Sequence, residues 1–437
     1  MPPGLPLDPR GRSRSNVRVA FLSTFPYLAV PTLSDTHRVI NCRTQKAVDS
    51  SPDLLYLLER LNTRTERIDA IRRFGITEQA LDALVSAGFL VEQRGLEGDT
   101  AARDHGVRVG IVCTLRGARP AEVLSFVHFH RSIGFKEIFL YFDDADDPCL
   151  TVAEGLEGVH AFPHDDELRA RQREMTVYRG LERHLVPGDA NFVMSKQILN
   201  TELALAEATR VGLDWLLHID IDELFYTVRS MQGFFAGVPD NVGEVRFFSY
   251  EAAPEKARFD NIFDEITLFK RNPAFLSKDR TSKTLAALGR EFHFLGHSRG
   301  KAAVRVLPGA RPHGVHGFVP PAESPLHIRP ALDPSILHYI NCDFRNFARK
   351  YAQRGNFGDR FFGGVKIEER VPFHLRARDW SQTLSREELF EQYCRTVVYG
   401  DDAQVLALLE SDLCLRIEGP SRRIRGESGP APLTIRI

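Results

Sequence analysis

Midway along the chain an apolar run, Trp215-Leu216-Leu217-His218-Ile219, leads straight into Asp220-Ile221-Asp222-Glu223. Apolar runs of this kind read as a buried strand. Side chains alternate along a strand, so Asp220 and Asp222 are expected on one face. Two carboxylates at that spacing repel each other unless positive charge lies between them. A divalent hard cation takes oxygen ligands and keeps positions open for phosphate. The pattern therefore predicts a metal-diphosphate site at a strand end, with Asp220 and Asp222 as ligands, against the plainer alternative of an acidic turn.

Further polar residues stand at comparable places. Leu337-His338-Tyr339-Ile340-Asn341-Cys342-Asp343-Phe344 reads as a short strand entering an amphipathic helix over about 344–354. A neutral imidazole can complete a metal site begun by carboxylates, so His338 is the expected third ligand. Asp343 is either a base in a partly apolar setting or the N-cap of the helix; Asp379 is the competing base. Lys301 and Arg299, in the glycine-containing turn His297-Ser298-Arg299-Gly300-Lys301, either neutralise a diphosphate or form a solvated basic hairpin.

The elements that must position these residues alternate. Residues 107–114 form an apolar, β-branched strand. Pro120 opens an amphipathic helix that Gly134 ends, and 138–142 form a second strand closing on Asp143 and Asp144. Strand, helix, strand in so short a span is a βαβ unit of a parallel sheet. Ligands of such sheets sit beyond the carboxyl ends of the strands. That places Arg116, in the loop 115–119, beside one of Asp143 and Asp144, either of which can accept hydrogen bonds from a ribose or a base edge. Residues 158–163 are a third strand and 165–185 are helical. A helix over 195–210 delivers the chain to Trp215 and carries Asn200, which either reaches the ligand pocket or is a satisfied amide. Strands are expected at 244–250 and 266–269, and two more helices within 381–413. The glycine-rich loop 355–364, with Phe357, Phe361 and Phe362, suits a lid or sugar-face stacking, or plugs the core.

The 437-residue chain has a formal net charge of -1, with 43% hydrophobic and 26% charged residues, so no global bias toward nucleic acid or anionic membrane exists. Its length leaves room for roughly two or three domains. Six scattered cysteines contain no C-x-x-C pair, which argues against a zinc ribbon or a thioredoxin-type motif. Residues 1–16, rich in Pro, Gly and Arg, are expected to be disordered; they hold no apolar signal region, and nothing later reaches membrane-spanning length, so a cytoplasmic protein is expected. Residues 17–93 read as a small unit: an opening strand, helices over 52–61 and 65–74, a third helix capped by Thr77 and ending near Gly88, and a strand at 89–91. This order resembles the winged-helix peptide-recognition domains attached to bacterial peptide-modifying enzymes; the alternative is a plain helical accessory domain. Residues 94–106 are the linker.

The segment 109–141, ending in His130-Arg131-Ser132-Ile133-Gly134-Phe135 and Ile138-Phe139-Leu140-Tyr141, resembles the opening of the family 2 and family 92 type glycosyltransferases. Residues 215–225 are similar to that family's W-x-x-x-I-D-x-D-E-F element, and His338-Tyr339 with Phe344 and Lys350 to its later H-Y segment. Where the family often has Lys-Asn-Glu after its first strand, this chain has Leu115-Arg116-Gly117-Ala118. The resemblance implies an α/β domain of GT-A type over 107–380, a Rossmann-like, mostly parallel sheet flanked by helices. C-terminal helices over 381–418 and a loose tail over 419–437 follow. It further implies a nucleotide-sugar donor (a UDP-sugar foremost), a divalent cation such as manganese or magnesium, and inversion at the anomeric carbon. The acceptor is a carbohydrate, peptide or small molecule. The rivals are a nucleotidyltransferase or other metal-dependent nucleotide enzyme, and a non-catalytic binding protein that works through its N-terminal unit.

Overall fold

The computed structural model describes residues 106–426 except 229, 331 and 332, together with 20–24, 27–31, 37–41, 47–50, 65–66, 77–87 and 89–94. Its centre is β1 (Val109–Leu115), in which every residue but Thr114 is buried. A strand apolar on both faces belongs inside a helix-covered sheet. Gly110 is needed there: a Cβ would stand 2.3 Å from Leu213 Cδ1. Helix α1 (Pro120–Ser132) follows, with proline in its first turn and Glu122 accepting the Arg119 N–H at 3.0 Å. Next come β2 (Glu137–Phe142), β3 (Val159–Phe162), α2 (Phe192–Arg210), β4 (Trp215–His218) and β5 (Glu223–Tyr226). The second half supplies β6 (Val242–Phe247), β7 (Ser249–Ala252), β8 (Leu268–Lys270), β9 (Lys301–Arg305), β10 (Leu326–Ile328), β11 (Ser335–His338), α3 (Phe344–Arg354) and β12 (Cys414–Arg416).

Two sheets result. The first has the order β10-β6-β9-β4-β1-β2-β3, with β4, β1, β2 and β3 parallel and β9 antiparallel to both neighbours. The second has the order β5-β11-β7-β8-β12. Among the described residues the chain passes between them five times, and two of these passes are short. After β4 it crosses through residues 219–222 into β5, and after β6 it crosses at Phe248 into β7. The single strand expected over 244–250 is therefore two strands in two sheets. The acidic stretch, directly after the end of β4, is likewise a turn and not a continuation of the strand: the Glu223 N–H donates to the Asp220 carbonyl at 3.0 Å. Strand alternation does not set the directions of Asp220 and Asp222.

Other expectations meet mixed outcomes. The charged segment 165–185 breaks into Asp166–Arg173, Tyr178–Leu181 and a 3-10 turn, Glu182–His184. Only Leu168, Gln172 and Leu181 are buried along these pieces, too few to hold one long helix. The C-terminal region has three helices, Pro372–Thr383, Arg386–Val397 and Asp402–Glu410; Ser385 caps the second through the Glu388 N–H at 3.2 Å. Residues 419–424, expected in a loose tail, are a short helix, Gly419–Ile424, pinned by Ser421 Oγ donating to the Phe263 carbonyl at 3.0 Å.

In the N-terminal part Thr77 caps helix Glu78–Ser86 and strand Leu90–Arg94 follows, as the residue pattern predicts. Thr65–Glu66, where a helix was expected to begin, instead pairs with strand Ala20–Thr24. Tyr27–Pro31, His37–Asn41 and Ala47–Ser50 form an unexpected antiparallel sheet. The expected helix over 52–61, the segment 1–16 and most of the linker lie outside the described residues. Among the described residues no helix is long and apolar enough to cross a membrane.

His130 joins α1 to β5. It is fully buried among Phe126, Phe129 and Phe135. Nδ1–H donates to the Phe126 carbonyl at 2.8 Å, and Nε2 accepts the Phe225 N–H at 3.0 Å. Burial pushes its pKa down to about 3. The unfolded imidazole binds a proton below about pH 6.5 while the folded one resists, so this contribution to stability is present above that value and is lost as pH falls. Replacing His130 by Ala leaves the Phe225 N–H without an acceptor and opens a cavity. The expected cost is roughly 3 kcal/mol at neutral pH, with a shallower acid loss of stability. Urea unfolding at pH 7 and pH 5 measures both; a cost below about 1 kcal/mol would mean that α1 and β5 are held together elsewhere.

Candidate active site

A cavity of about 540 Å³ opens at the carboxyl ends of β1, β2 and β4. Its walls are the loop after β1, Asp143 after β2, the acidic turn after β4, the first half of α2, the end of β11 and one side of α3. This is the position that an open α/β sheet offers a ligand.

The acidic turn is organised by Lys301, the first residue of β9. Gly300 makes that entry possible: its φ is +69°, and a Cβ there would lie 1.8 Å from the Phe247 carbonyl oxygen. Lys301 is buried, and its Nζ lies 2.7 Å from Asp220 Oδ2 and 3.6 Å from Glu223 Oε2. Gln197 Nε2 donates to Asp220 Oδ1 at 2.6 Å. Glu223 Oε2 accepts the Asp220 N–H at 2.8 Å. Burial opposes the charged form of Asp220, yet the Lys301 ammonium holds it well below the usual carboxylate range. Burial pushes Glu223 up to about 7, against the pull of Lys301. Burial also disfavours the Lys301 ammonium, but Asp220 and Glu223 hold its pKa above the ordinary lysine value.

Asp222 also lines the cavity but lacks such donors among the described residues. Its side chain is 31% exposed, against 29% for Asp220, and its Oδ2 lies 3.8 Å from His338 Nε2. That gap is too long for a hydrogen bond and within the span of two ligands of one ion, each at roughly 2.1 Å. Behind His338, its cross-strand neighbour Glu251 is fully buried, accepting Lys270 Nζ and the Leu295 and Gly296 N–H groups at 2.8 Å each. Among the described residues no group of three or more His, Cys, Asp or Glu is arranged to hold a metal ion. The expected trio of Asp220, Asp222 and His338 is not assembled, because Lys301 and Gln197 take both Asp220 oxygens. The Asp222–His338 edge fits an ion that draws its other ligands from phosphate and water.

The remaining expected residues divide between the cavity and elsewhere. Asp143 lines the cavity, bound by Lys196 Nζ at 2.5 Å and 3.4 Å from Arg116 Nη1. Asp144 is exposed and accepts the Asp146 N–H at 3.1 Å; it does not line the cavity. Asn200 is a satisfied internal amide, donating to Thr114 Oγ1 at 3.0 Å and accepting Gln172 Nε2 at 2.7 Å. Asp343 reaches the cavity wall as the N-cap of α3. Its oxygens accept the Arg345 and Phe259 N–H groups at 2.8 and 2.9 Å, and the Arg345 guanidinium at 2.9 Å. Burial raises its pKa, but these donors hold it below the usual carboxylate range. Its lone pairs are committed, so it is poorly placed to take a proton. Asp379 is 59% exposed, pairs with Arg378 at 2.8 Å and lies outside the cavity lining.

Sequence reasoning missed Lys196, Gln197 and Arg354, all of which line the cavity, and gave Lys350 no role there. The first two had a legible signal. Lys196, Gln197 and Asn200 form a polar stripe on the buried side of α2, where apolar residues would be expected.

No protein-family model matches the chain. Two Arabidopsis thaliana proteins named glycosyltransferase-like are similar to it. One is 28% identical over 319 residues, 71% of this chain and 70% of its own length. The other is 27% identical over 326 residues, 71% of this chain, which spans only 62% of that relative. Among solved structures, mouse xyloside xylosyltransferase 1 in its apo form aligns at 9% identity over 70% of this chain and 82% of its own, with a TM-score of 0.21. A heterocyclase in complex with substrate and cofactor aligns at 13% identity over 44% of this chain and 34% of its own, with a TM-score of 0.15. Superpositions this loose carry no argument about this chain.

Lys301 gives a stability prediction. Replacing it by Met strands Asp220 and Glu223 without their cation. The expected loss is roughly 3 kcal/mol or more in the absence of any ligand, measured by urea unfolding at neutral pH. A Lys301 devoted only to ligand binding would leave ligand-free stability within about 0.5 kcal/mol of wild type.

Proposed function

We propose that this chain is a glycosyltransferase of GT-A type, moving a sugar from a nucleotide-diphosphate donor, a UDP-sugar foremost, to an acceptor hydroxyl with the help of manganese or magnesium. The observation that carries this reading is the Asp222–His338 edge, open to a cavity at the carboxyl ends of parallel strands. The two glycosyltransferase-like relatives support the same class of chemistry.

In this reading Asp222 and His338 would hold the cation, and Asp220 serves as the turn's internal anchor. The ion, when bound, would supply Lewis-acid stabilisation to the diphosphate. Asp143, steadied by Lys196 and Arg116, faces the nucleoside and accepts hydrogen bonds from it. The bond from the anomeric carbon to the diphosphate oxygen breaks and its electron pair leaves with the nucleoside diphosphate. The acceptor oxygen forms the new bond to that carbon and gives up its proton. Inversion in a single displacement needs a base for that proton. Asp343 is closed by its donors and Asp379 stands outside, so this reading assigns the task to neither.

Calorimetric titration of UDP, with and without manganese, tests the proposal. Manganese-dependent binding in the wild type, lost by about tenfold or more in Asp222→Ala, is the expected result. Absence of binding for any nucleoside diphosphate under either metal would remove the glycosyl-transfer reading.

A further inference from the structure

Lys301 was the residue expected to meet a diphosphate, but its ammonium is spent on Asp220 and Glu223. Most other charged groups on the cavity wall are also matched. Arg116 and Lys196 share Asp143, Glu122 holds Arg119, Asp189 lies 3.1 Å from His184, and Asp343 holds Arg345. Four groups on the wall stand apart from these pairs among the described residues. Asp222 meets His338 across a 3.8 Å gap. Arg349 has no carboxylate partner and donates to Asn346 Oδ1 at 2.9 Å. Lys350 Nζ has no carboxylate partner either; its polar contact is Asn341 Oδ1 at 3.5 Å. The Arg354 guanidinium, also on the wall, has neither a hydrogen bond nor an ion pair among the described residues.

Lys350 and Arg354 are one turn apart on α3, on the stripe of that helix that faces the cavity together with Asn346 and Phe347. Arg349, the helix's other cavity cation, is occupied by Asn346 Oδ1 at 2.9 Å and stands over Gly117. Like charges at this spacing repel each other. Here the repulsion falls on half-buried side chains: burial, with the Arg354 charge adding to it and Asp222 opposing it, lowers the Lys350 pKa to about 8. Two unmatched cations pressed into one wall are stable company for an anion and poor company for each other. Their place is defined from below as well. Lys350 touches Asn341, a non-glycine residue at φ +57°, whose carbonyl accepts the Tyr393 hydroxyl at 2.8 Å. That turn lies between His338 and α3, and both cations line the same cavity as the Asp222–His338 edge.

We infer that Lys350 and Arg354 form the clamp for the donor's diphosphate in the cavity that Asp222 and His338 also line. This rests on the glycosyl-transfer reading and adds to it the residues that hold the leaving group. The charges agree. One carboxylate, one divalent ion, one ammonium and one guanidinium face a diphosphate that gains a negative charge as its bond to the sugar breaks. Donors fixed where that charge develops stabilise the transition state more than the bound donor. The planar guanidinium suits two phosphate oxygens at once and the ammonium a single one.

The experiment compares wild type, Lys350→Gln, Arg354→Gln and the conservative Lys350→Arg by calorimetry with UDP, UMP and uridine in manganese buffer, with thermal unfolding as a check on folding. Each Gln variant is expected to weaken UDP by about tenfold or more, UMP less, and uridine not at all, with Lys350→Arg recovering most of the UDP affinity. Equal UDP affinity in wild type and both Gln variants would overturn the clamp and leave the glycosyl-transfer reading standing. Equal losses for UDP and uridine would also overturn it, by showing a general collapse of the cavity. A wild-type protein that binds no nucleoside diphosphate would remove the reading and the clamp together. Arg354, at the end of α3 and half-exposed, tests the clamp if the Lys350 variants fail to fold.

Discussion

The ion cluster of Lys301 with Asp220 and Glu223 is the interaction on which the rest depends. It sits at the seam where the chain leaves the first sheet for the second. A buried lysine with no partner, or a buried Glu223 beside a part-exposed Asp220 with none, would cost several kcal/mol. Joined, they fix the turn between β4 and β5 and bind it to β9 across the sheet. The entry to β9 is fixed in turn by Gly300, which lies where no side chain fits against Phe247. The seam therefore has one arrangement, and in it Asp220 is consumed while Asp222 is left facing the cavity.

That division separates two jobs that a pair of neighbouring aspartates would otherwise share. Asp220 is structural: both of its oxygens are bonded inside the protein. Asp222 is open, and the nearest group to it is an imidazole on a strand of the other sheet. The second sheet brings His338 into place and backs it with the buried Glu251–Lys270 pair. Helix α3, capped by Asp343, then closes the cavity with cations. Each sheet supplies half of the open edge, so neither sheet by itself makes the site.

The similarity to the glycosyltransferase-like relatives runs over 71% of this chain. It agrees with a site read from side chains, since a cavity at the ends of parallel strands with an acidic floor and a basic wall suits a bound diphosphate. Neither aspartate expected to take the proton is available for it: Asp343 lines the cavity but is committed as a helix cap, and Asp379 is exposed outside the lining. A carboxylate's type and its nearness to an apolar strand were poor guides to its availability.

Local order was legible in the residues themselves. The β1–α1–β2 unit, the caps Thr77 and Ser385, and the span of α3 all follow from patterns within a few residues: apolar periodicity, a proline in a first turn, a hydroxyl or carboxylate facing the next N–H groups. The capping role of Asp343 was one of its two readings for the same reason. Tertiary structure decided the partners. Lys301 reaches Asp220 across 81 residues because β9 runs antiparallel beside β4, and no short-range pattern encodes that register. The switch of sheets at residues 219–222 and again at Phe248 turned expected strand geometry into turns. The availability of Asp222, Lys350 and Arg354 is a property of what surrounds them. Charge pairing is settled only when distant strands and helices become neighbours, so the sequence supplied the ionisable groups and the fold chose which ones remain free to meet a ligand.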